Sequence, residues 1–145
     1  MKRLPALIAC CILGFSLLTQ AGGRPGQVAI ASAHPAATVA GLETLAAGGN
    51  AFDAAVAVSA ALAVTEPYGS GLGGGGFFLL RKAGDKTAYH FLDAREKAPQ
   101  AATPDMYREQ PARSLDGALA AAIPGLPAAL ADLASRYGRL PLAAS

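Results

Sequence analysis

The chain has 145 residues, 52% of them hydrophobic and 15% charged, with a formal net charge of +2. That is one globular domain at most, or a piece of a larger one; it is too apolar for a disordered chain and too weakly charged to imply a nucleic-acid partner. Two cysteines, adjacent at Cys10 and Cys11, build no disulfide scaffold, and 17 glycines with 10 prolines lacking a triplet period exclude collagen.

Lys2 and Arg3 precede an apolar run from Leu4 to Leu18, followed by Thr19-Gln20-Ala21. A positive start, an apolar stretch of this length and a small-x-small site predict a secretory signal peptide over 1–21, which places the mature chain in the periplasm or outside the cell. The run is short for a membrane-spanning helix, which takes about 20 apolar residues, so no stable membrane span is expected after cleavage. A lipoprotein reading at Leu7-Ile8-Ala9-Cys10 fails, because the apolar stretch before Cys10 is too short and continues past it. Without residues 1–21 the chain keeps ten basic and ten acidic residues and no cysteine, so an oxidising compartment has nothing to oxidise.

Residues 22–27 read as a linker, and the apolar run Val28 to Ser32 as a short buried strand. Pro35 opens a helix whose expected buried face is Val39, Leu42 and Leu45–Ala46, closed by Gly48-Gly49. Asn50 caps a second helix with Asp53 near its positive end. From Ala51 to Val64 nearly every residue is apolar, so burial on all sides is expected until Glu66-Pro67 stops it. The glycine run from Gly69 to Gly76 suits neither helix nor strand. Phe77–Arg81 and Thr87–Leu92 form a hairpin around Gly84-Asp85, and Asp93 to Thr103 is a loop. Ala118 to Ile123 fits helix or strand, and its flanking turn residues favour a strand. Leu126 to Tyr137 is an amphipathic helix with Leu126, Leu130, Leu133 and Tyr137 on one face, closed by Gly138. About four strands and three or four helices are thin for a complete layered αβ domain, so the chain reads as a fragment.

Chemistry is harder to place. Gly69 to Gly74 is a literal G-x-G-x-x-G, with Asp93 about 20 residues on. A dinucleotide site needs a strand before the glycines and a helix after them; here a helix precedes and a strand follows. The better reading is that the glycines let backbone pass close to backbone. No P-loop and no G-x-S-x-G elbow is present. His34 and His90 are far apart and form no metal pair, so neither metal nor cofactor is expected. The polar cluster is Asp93-Ala94-Arg95-Glu96-Lys97-Ala98-Pro99. Arg95 can hold a carboxylate through two parallel hydrogen bonds, or pair with Asp93 or Glu96 on a solvated loop. Spacing alone favours the internal pair.

Taken together, the stretches change that balance. Gly48-Gly49-Asn50-Ala51-Phe52-Asp53-Ala54-Ala55-Val56-Ala57, Glu66-Pro67 leading to Ser70–Phe77, Leu92-Asp93-Ala94-Arg95-Glu96 with Ala98-Pro99, Pro124-Gly125 and Tyr137–Pro141 occur in an order that resembles the N-terminal part of a γ-glutamyltransferase, or glutathione hydrolase, large subunit. The resemblance runs from about Val28 to Ser145. It implies an α+β fold, the αββα sandwich of the N-terminal nucleophile hydrolases, incomplete here. It implies a precursor that cleaves itself into a large and a small subunit, the new N-terminal threonine of the small subunit attacking a γ-glutamyl amide with its own α-amine as base. The acyl group then passes to water, an amino acid or a peptide. Arg95 matches the family arginine that grips the α-carboxylate of the γ-glutamyl group, and Glu96 is carried over as its neighbour with less weight. Thr38, Thr44, Thr65, Thr87 and Thr103 match no catalytic position, and the nucleophile belongs to sequence downstream. The expected partners are a γ-glutamyl compound such as glutathione and the small subunit of the same precursor, and residues 1–145 alone are expected to be inactive. Glutaryl (cephalosporin) acylases, poly-γ-glutamate-processing relatives and a non-catalytic exported fragment are the alternatives.

Overall fold

The computed structural model describes residues 28–145; the signal peptide expected over 1–21 and the linker over 22–27 lie outside the described residues. Helix α1 spans Pro35–Ala46. Its proline sits in the first turn, where a missing N–H costs nothing, and His34 Nδ1 accepts from the Ala36 N–H at 3.1 Å. The end is closed as the sequence predicts: the Gly48 and Gly49 N–H groups donate back to Leu45 O and Thr44 O at 3.1 and 3.0 Å, and Gly48 takes the left-handed φ of 97° that disfavours any side chain.

Helix α2, Ala51–Thr65, begins with a reciprocal cap. Asn50 Oδ1 accepts from the Phe52 and Asp53 N–H groups at 2.8 and 3.2 Å, and Asp53 Oδ2 accepts from the Asn50 N–H at 2.7 Å, which satisfies donors that a helix start otherwise leaves free. Glu66 closes α2 and leads directly into a single turn, α3, Pro67–Ser70. A two-stranded antiparallel hairpin follows, β1 Phe77–Leu80 and β2 His90–Asp93, pairing Phe77 with Asp93 and Leu80 with His90. Helix α4, Leu126–Tyr137, has the expected bounds and apolar face, with Leu126, Ala129, Leu130, Leu133 and Ala134 buried.

The core sits where α2, α4 and one face of the hairpin meet: Val56, Leu80, Leu126, Leu130 and Leu133, with Phe78 and Leu92 packed against them. Alternation along the strands sends Phe77, Leu79 and Phe91 to the opposite face, where all three are exposed and the two phenyl rings stack with centroids 5.5 Å apart. Asp53 ties the two ends of this layer together. Fully buried, it also accepts from the Arg139 N–H at 3.1 and 3.0 Å, the Leu140 N–H at 3.2 Å and the Ser145 hydroxyl at 3.4 Å. Asn50 Nδ2 donates to Tyr137 O at 2.7 Å beside it.

Four expectations are corrected. Val28–Ser32 forms no strand; Ile30 instead reaches Gly41 of α1, and the Ser32 hydroxyl donates to His34 O at 2.9 Å as the chain turns into the helix. Ala118–Ile123 is not a strand either, since only Ile123 pairs, in an isolated bridge with Lys97; its alanines offer little that packs on a sheet. Helix α1 buries Ala37, Gly41 and Thr44 rather than Val39 and Leu42, which are exposed. The cause is close packing on α2: a methyl added at Gly41 would lie 2.7 Å from Val58 Cγ2, so small residues, not the most apolar ones, face the contact. Helix α2 is buried along one stripe, Asp53, Ala54, Val56 and Ala57, while Val64 is exposed. The described residues therefore hold one two-stranded sheet covered by helices on one face, with two strands where about four were expected.

Candidate functional site: the Arg95 loop

Directly after β2, three backbone segments converge. Ala94 continues the ladder by one pair, its N–H donating to Gly76 O at 3.0 Å while the Gly76 N–H donates to Ala94 O at 3.2 Å. Lys97 and Ile123 exchange hydrogen bonds of 3.0 and 2.8 Å. The N–H groups of Gly125 and Leu126, at the start of α4, both donate to Gly74 O at 3.2 Å. Residues 94–97 are thus held between the glycine run on one side and the approach to α4 on the other. The Asp93 carboxylate is spent locally, accepting from the Arg95 N–H at 2.9 Å, and so fixes the bend at the end of the strand rather than the guanidinium.

The side chains on this frame are unevenly engaged. Arg95 is 62% exposed and meets Glu96 only through Nε, 3.3 Å from Oε2, with Glu96 26% exposed. That Glu96 oxygen is buried and receives no hydrogen bond, so the contact is coulombic and off the donor direction. An ion pair this exposed contributes about 0–1 kcal/mol. Among the described residues neither terminal nitrogen of Arg95 donates to a partner, so the flat two-pronged edge that matches a carboxylate is free. A bidentate, charge-assisted contact there contributes about 1.5–3 kcal/mol, more than the internal pair at Nε.

Arg95 also borders a cleft of about 330 Å³. Asp93 and Lys97 line it too, Ile123 is apolar lining, and Ala128 and Asp132 of α4 complete it. The internal pair weighed from spacing is therefore present in part, with Glu96 rather than Asp93. Glu96 does not line this cleft; its Oε1 lies 3.5 Å from where a Gly74 side chain would begin. A second hollow of about 370 Å³ between Thr103 and Arg113 shares no lining residue with this cleft and is lined mostly by polar side chains of an irregular segment. Of the threonines, Thr44 and Thr65 donate to Ala40 O and Ala61 O of their own helices at 2.9 and 3.0 Å, and Thr38 shares a 2.7 Å hydrogen bond with Ser32.

Residues 37–145 match the sequence model of the gamma-glutamyltranspeptidase family. The chain belongs to that family. It is 45% identical over 125 residues to the glutathione hydrolase proenzyme of Escherichia coli strain K12, an alignment covering 82% of this chain and 21% of that protein. Among solved structures, the gamma-glutamyltranspeptidase from Pseudomonas nitroreducens complexed with L-DON superposes with a TM-score of 0.71 at 42% identity, covering 78% of this chain and 34% of that one. The cephalosporin acylase from Bacillus halodurans gives a TM-score of 0.64 at 34% identity, over 84% of this chain and 25% of that one. The chain spans about a fifth of the length of the curated relatives it matches. Glutathione hydrolases and transpeptidases are thus its relatives in both sequence and structure. Among the described residues no helix is long and apolar enough to cross a membrane.

The sequence pointed to Arg95 and Glu96, and they lie together at the junction. It did not single out Gly75 and Gly125 as the residues that press on the Arg95 backbone. The only signal was their place in a glycine run and a Pro-Gly pair, which names no partner.

Proposed function

We propose that residues 28–145 form the first part of the large subunit of an exported γ-glutamyltransferase precursor, delivered by the signal peptide read over 1–21, and that Arg95 grips the α-carboxylate of the γ-glutamyl substrate. The observation that carries this reading is an arginine fork at a cleft, braced by backbone on both sides and engaged by its neighbour through Nε alone. Glu96 stands beside it as a local counter-charge on Nε, leaving the terminal edge for the incoming carboxylate. The mature protein hydrolyses γ-glutamyl amides such as that of glutathione, or transfers the acyl group, through an acyl-enzyme on a threonine supplied by the small subunit. The exposed Phe77, Leu79 and Phe91 face supports the αββα sandwich, in which a second sheet from the rest of the precursor covers it.

The test is steady-state kinetics of the full-length protein with a chromogenic γ-glutamyl anilide. Arg95→Ala should raise KM about 10- to 150-fold, the equivalent of the 1.5–3 kcal/mol of a charge-assisted contact, and affect kcat less. Arg95→Lys, which keeps the charge and removes the fork, should fall between. An unchanged KM in Arg95→Ala refutes the clamp. Residues 1–145 alone should stay at background in the same assay.

A further inference from the structure

We propose that Gly75 and Gly125 are positioning residues that aim the Arg95 fork by packing directly against its backbone; this rests on the γ-glutamyl reading of Arg95 above. The glycines of this chain fall into two kinds. Gly48, Gly84 and Gly117 have φ of 97°, 87° and 87° and nothing within 4 Å of where a Cβ would stand, so they are glycine for the sake of the turn. Gly75 and Gly125 are the reverse. Neither has a positive φ, and Gly125 sits at φ −97°, ψ −25°, a backbone open to any residue. What they lack is room. A Cβ on Gly75 would collide with Ala94 O and lie 2.9 Å from both Arg95 Cα and Glu96 N. One on Gly125 would collide with the same carbonyl oxygen and lie 2.6 Å from Arg95 O.

All of these obstructions are backbone atoms, and they belong to three consecutive residues centred on Arg95. Backbone cannot swing aside as the tip of a side chain does. A methyl at either position therefore has to push the Arg95 peptide away from Gly75 or from Gly125. The flanking hydrogen bonds turn such a push into rotation rather than free drift: the Gly76–Ala94 pair holds one end of the segment and the Lys97–Ile123 pair the other. A two-pronged contact with a carboxylate is planar and directional, and a misplacement of about 1 Å at a reacting assembly can cost about 100-fold. On this view the glycine run supplies thinness beside Arg95, so that the fork stands at one fixed height and angle over the cleft.

The experiment measures KM and kcat of the full-length protein for the γ-glutamyl anilide in Gly75→Ala and Gly125→Ala, each made in the wild type and in an Arg95→Ala background. Each single substitution should raise KM about 10- to 100-fold, by the misplacement argument, with a smaller change in kcat. Partial misfolding lowers the active fraction and hence apparent kcat, and leaves KM where it was, so the split separates aiming from mere destabilisation. In the Arg95→Ala background the glycine substitutions should raise KM no further, because the group they aim is gone. Gly73→Ala, whose methyl would meet nothing within 4 Å, should match the wild type. If either alanine variant is insoluble, Ile123→Pro takes its place: it deletes the N–H that donates to Lys97 O, and the same rise in KM is expected. Single variants with wild-type KM, or a rise that persists undiminished without Arg95, overturn the proposal while leaving the clamp standing. An Arg95→Ala protein with unchanged KM overturns the clamp itself, and the aiming role with it.

Discussion

Asp53 and Arg95 are both charged side chains at the ends of secondary-structure elements, and the molecule treats them in opposite ways. Asp53 is fully buried, with donors arriving from Asn50, Arg139, Leu140 and Ser145. Arg95 is mostly exposed, and only its Nε is near an acid. A charge that holds a fold together must have its hydrogen bonds completed inside the protein, because an unmatched one is costly away from water. A charge that receives a ligand must leave some of its capacity unspent. On the clamp reading proposed above, Asp53 serves architecture and Arg95 recognition, and the contrast can be tested by asking which property each substitution damages.

The largest expected effect is on stability at Asp53. Asp53→Ala removes the acceptor at the start of α2 and leaves the Arg139 and Leu140 N–H groups without the carboxylate they donate to. The cost should be about 2–4 kcal/mol, read as a shift in the denaturant midpoint of the full-length protein. A shift below 0.5 kcal/mol, on the order of an ordinary surface substitution, would show that the turn re-forms its contacts elsewhere.

The pH dependence of Asp53 sharpens the contrast. Burial pushes its carboxyl up, but the backbone N–H groups of Asn50, Arg139 and Leu140 and the Ser145 hydroxyl together hold it below the usual aspartate value. A carboxylate whose folded-state pKa is depressed stabilises fully above its unfolded value, near pH 4, and loses that contribution as pH falls through the folded value. The stability gap between wild type and Asp53→Asn should therefore be widest near neutrality and should narrow below about pH 4. A gap that stays constant from neutral to acid pH would mean that the charge is not what the site uses.

The smallest effect should be that of Arg95→Ala on stability. With the side chain exposed and its ion pair weak, the unfolding midpoint should move by no more than about 0.5 kcal/mol, even as KM rises. A loss of stability comparable to that at Asp53 would erase the distinction between the two residues.

What could be read from the sequence follows the range of the interaction. The bounds of α4 were legible because leucine spacing, Pro127 and Gly138 are all local signals, and the Asn50 cap was legible for the same reason. Asp53 was legible only as an acid near a helix start; its partners at Arg139 and Leu140 lie 86 and 87 positions away, and no local pattern points to them. The buried face of α1 was misread because hydropathy favours Val39 and Leu42, whereas the distance to α2 selects Ala37, Gly41 and Thr44. The Val28–Ser32 run has the composition of a strand, yet none of the described strands pairs with it. At the site, Arg95 and Glu96 were singled out by motif alone. That Gly75 and Gly125 lie against the backbone of residues 94–96 was not legible, because it is a property of the folded chain.

The outer face of the hairpin bears on how this segment can be handled. Phe77, Leu79 and Phe91 present a contiguous oily patch on a sheet only two strands wide, so each strand also offers an unpaired edge. Sticky faces beside open edges are what lets strands of neighbouring molecules add to one another. Produced alone at high concentration, residues 28–145 would tend to self-associate into sheet-rich aggregates. Replacement of Leu79 by a charged residue is the practical remedy.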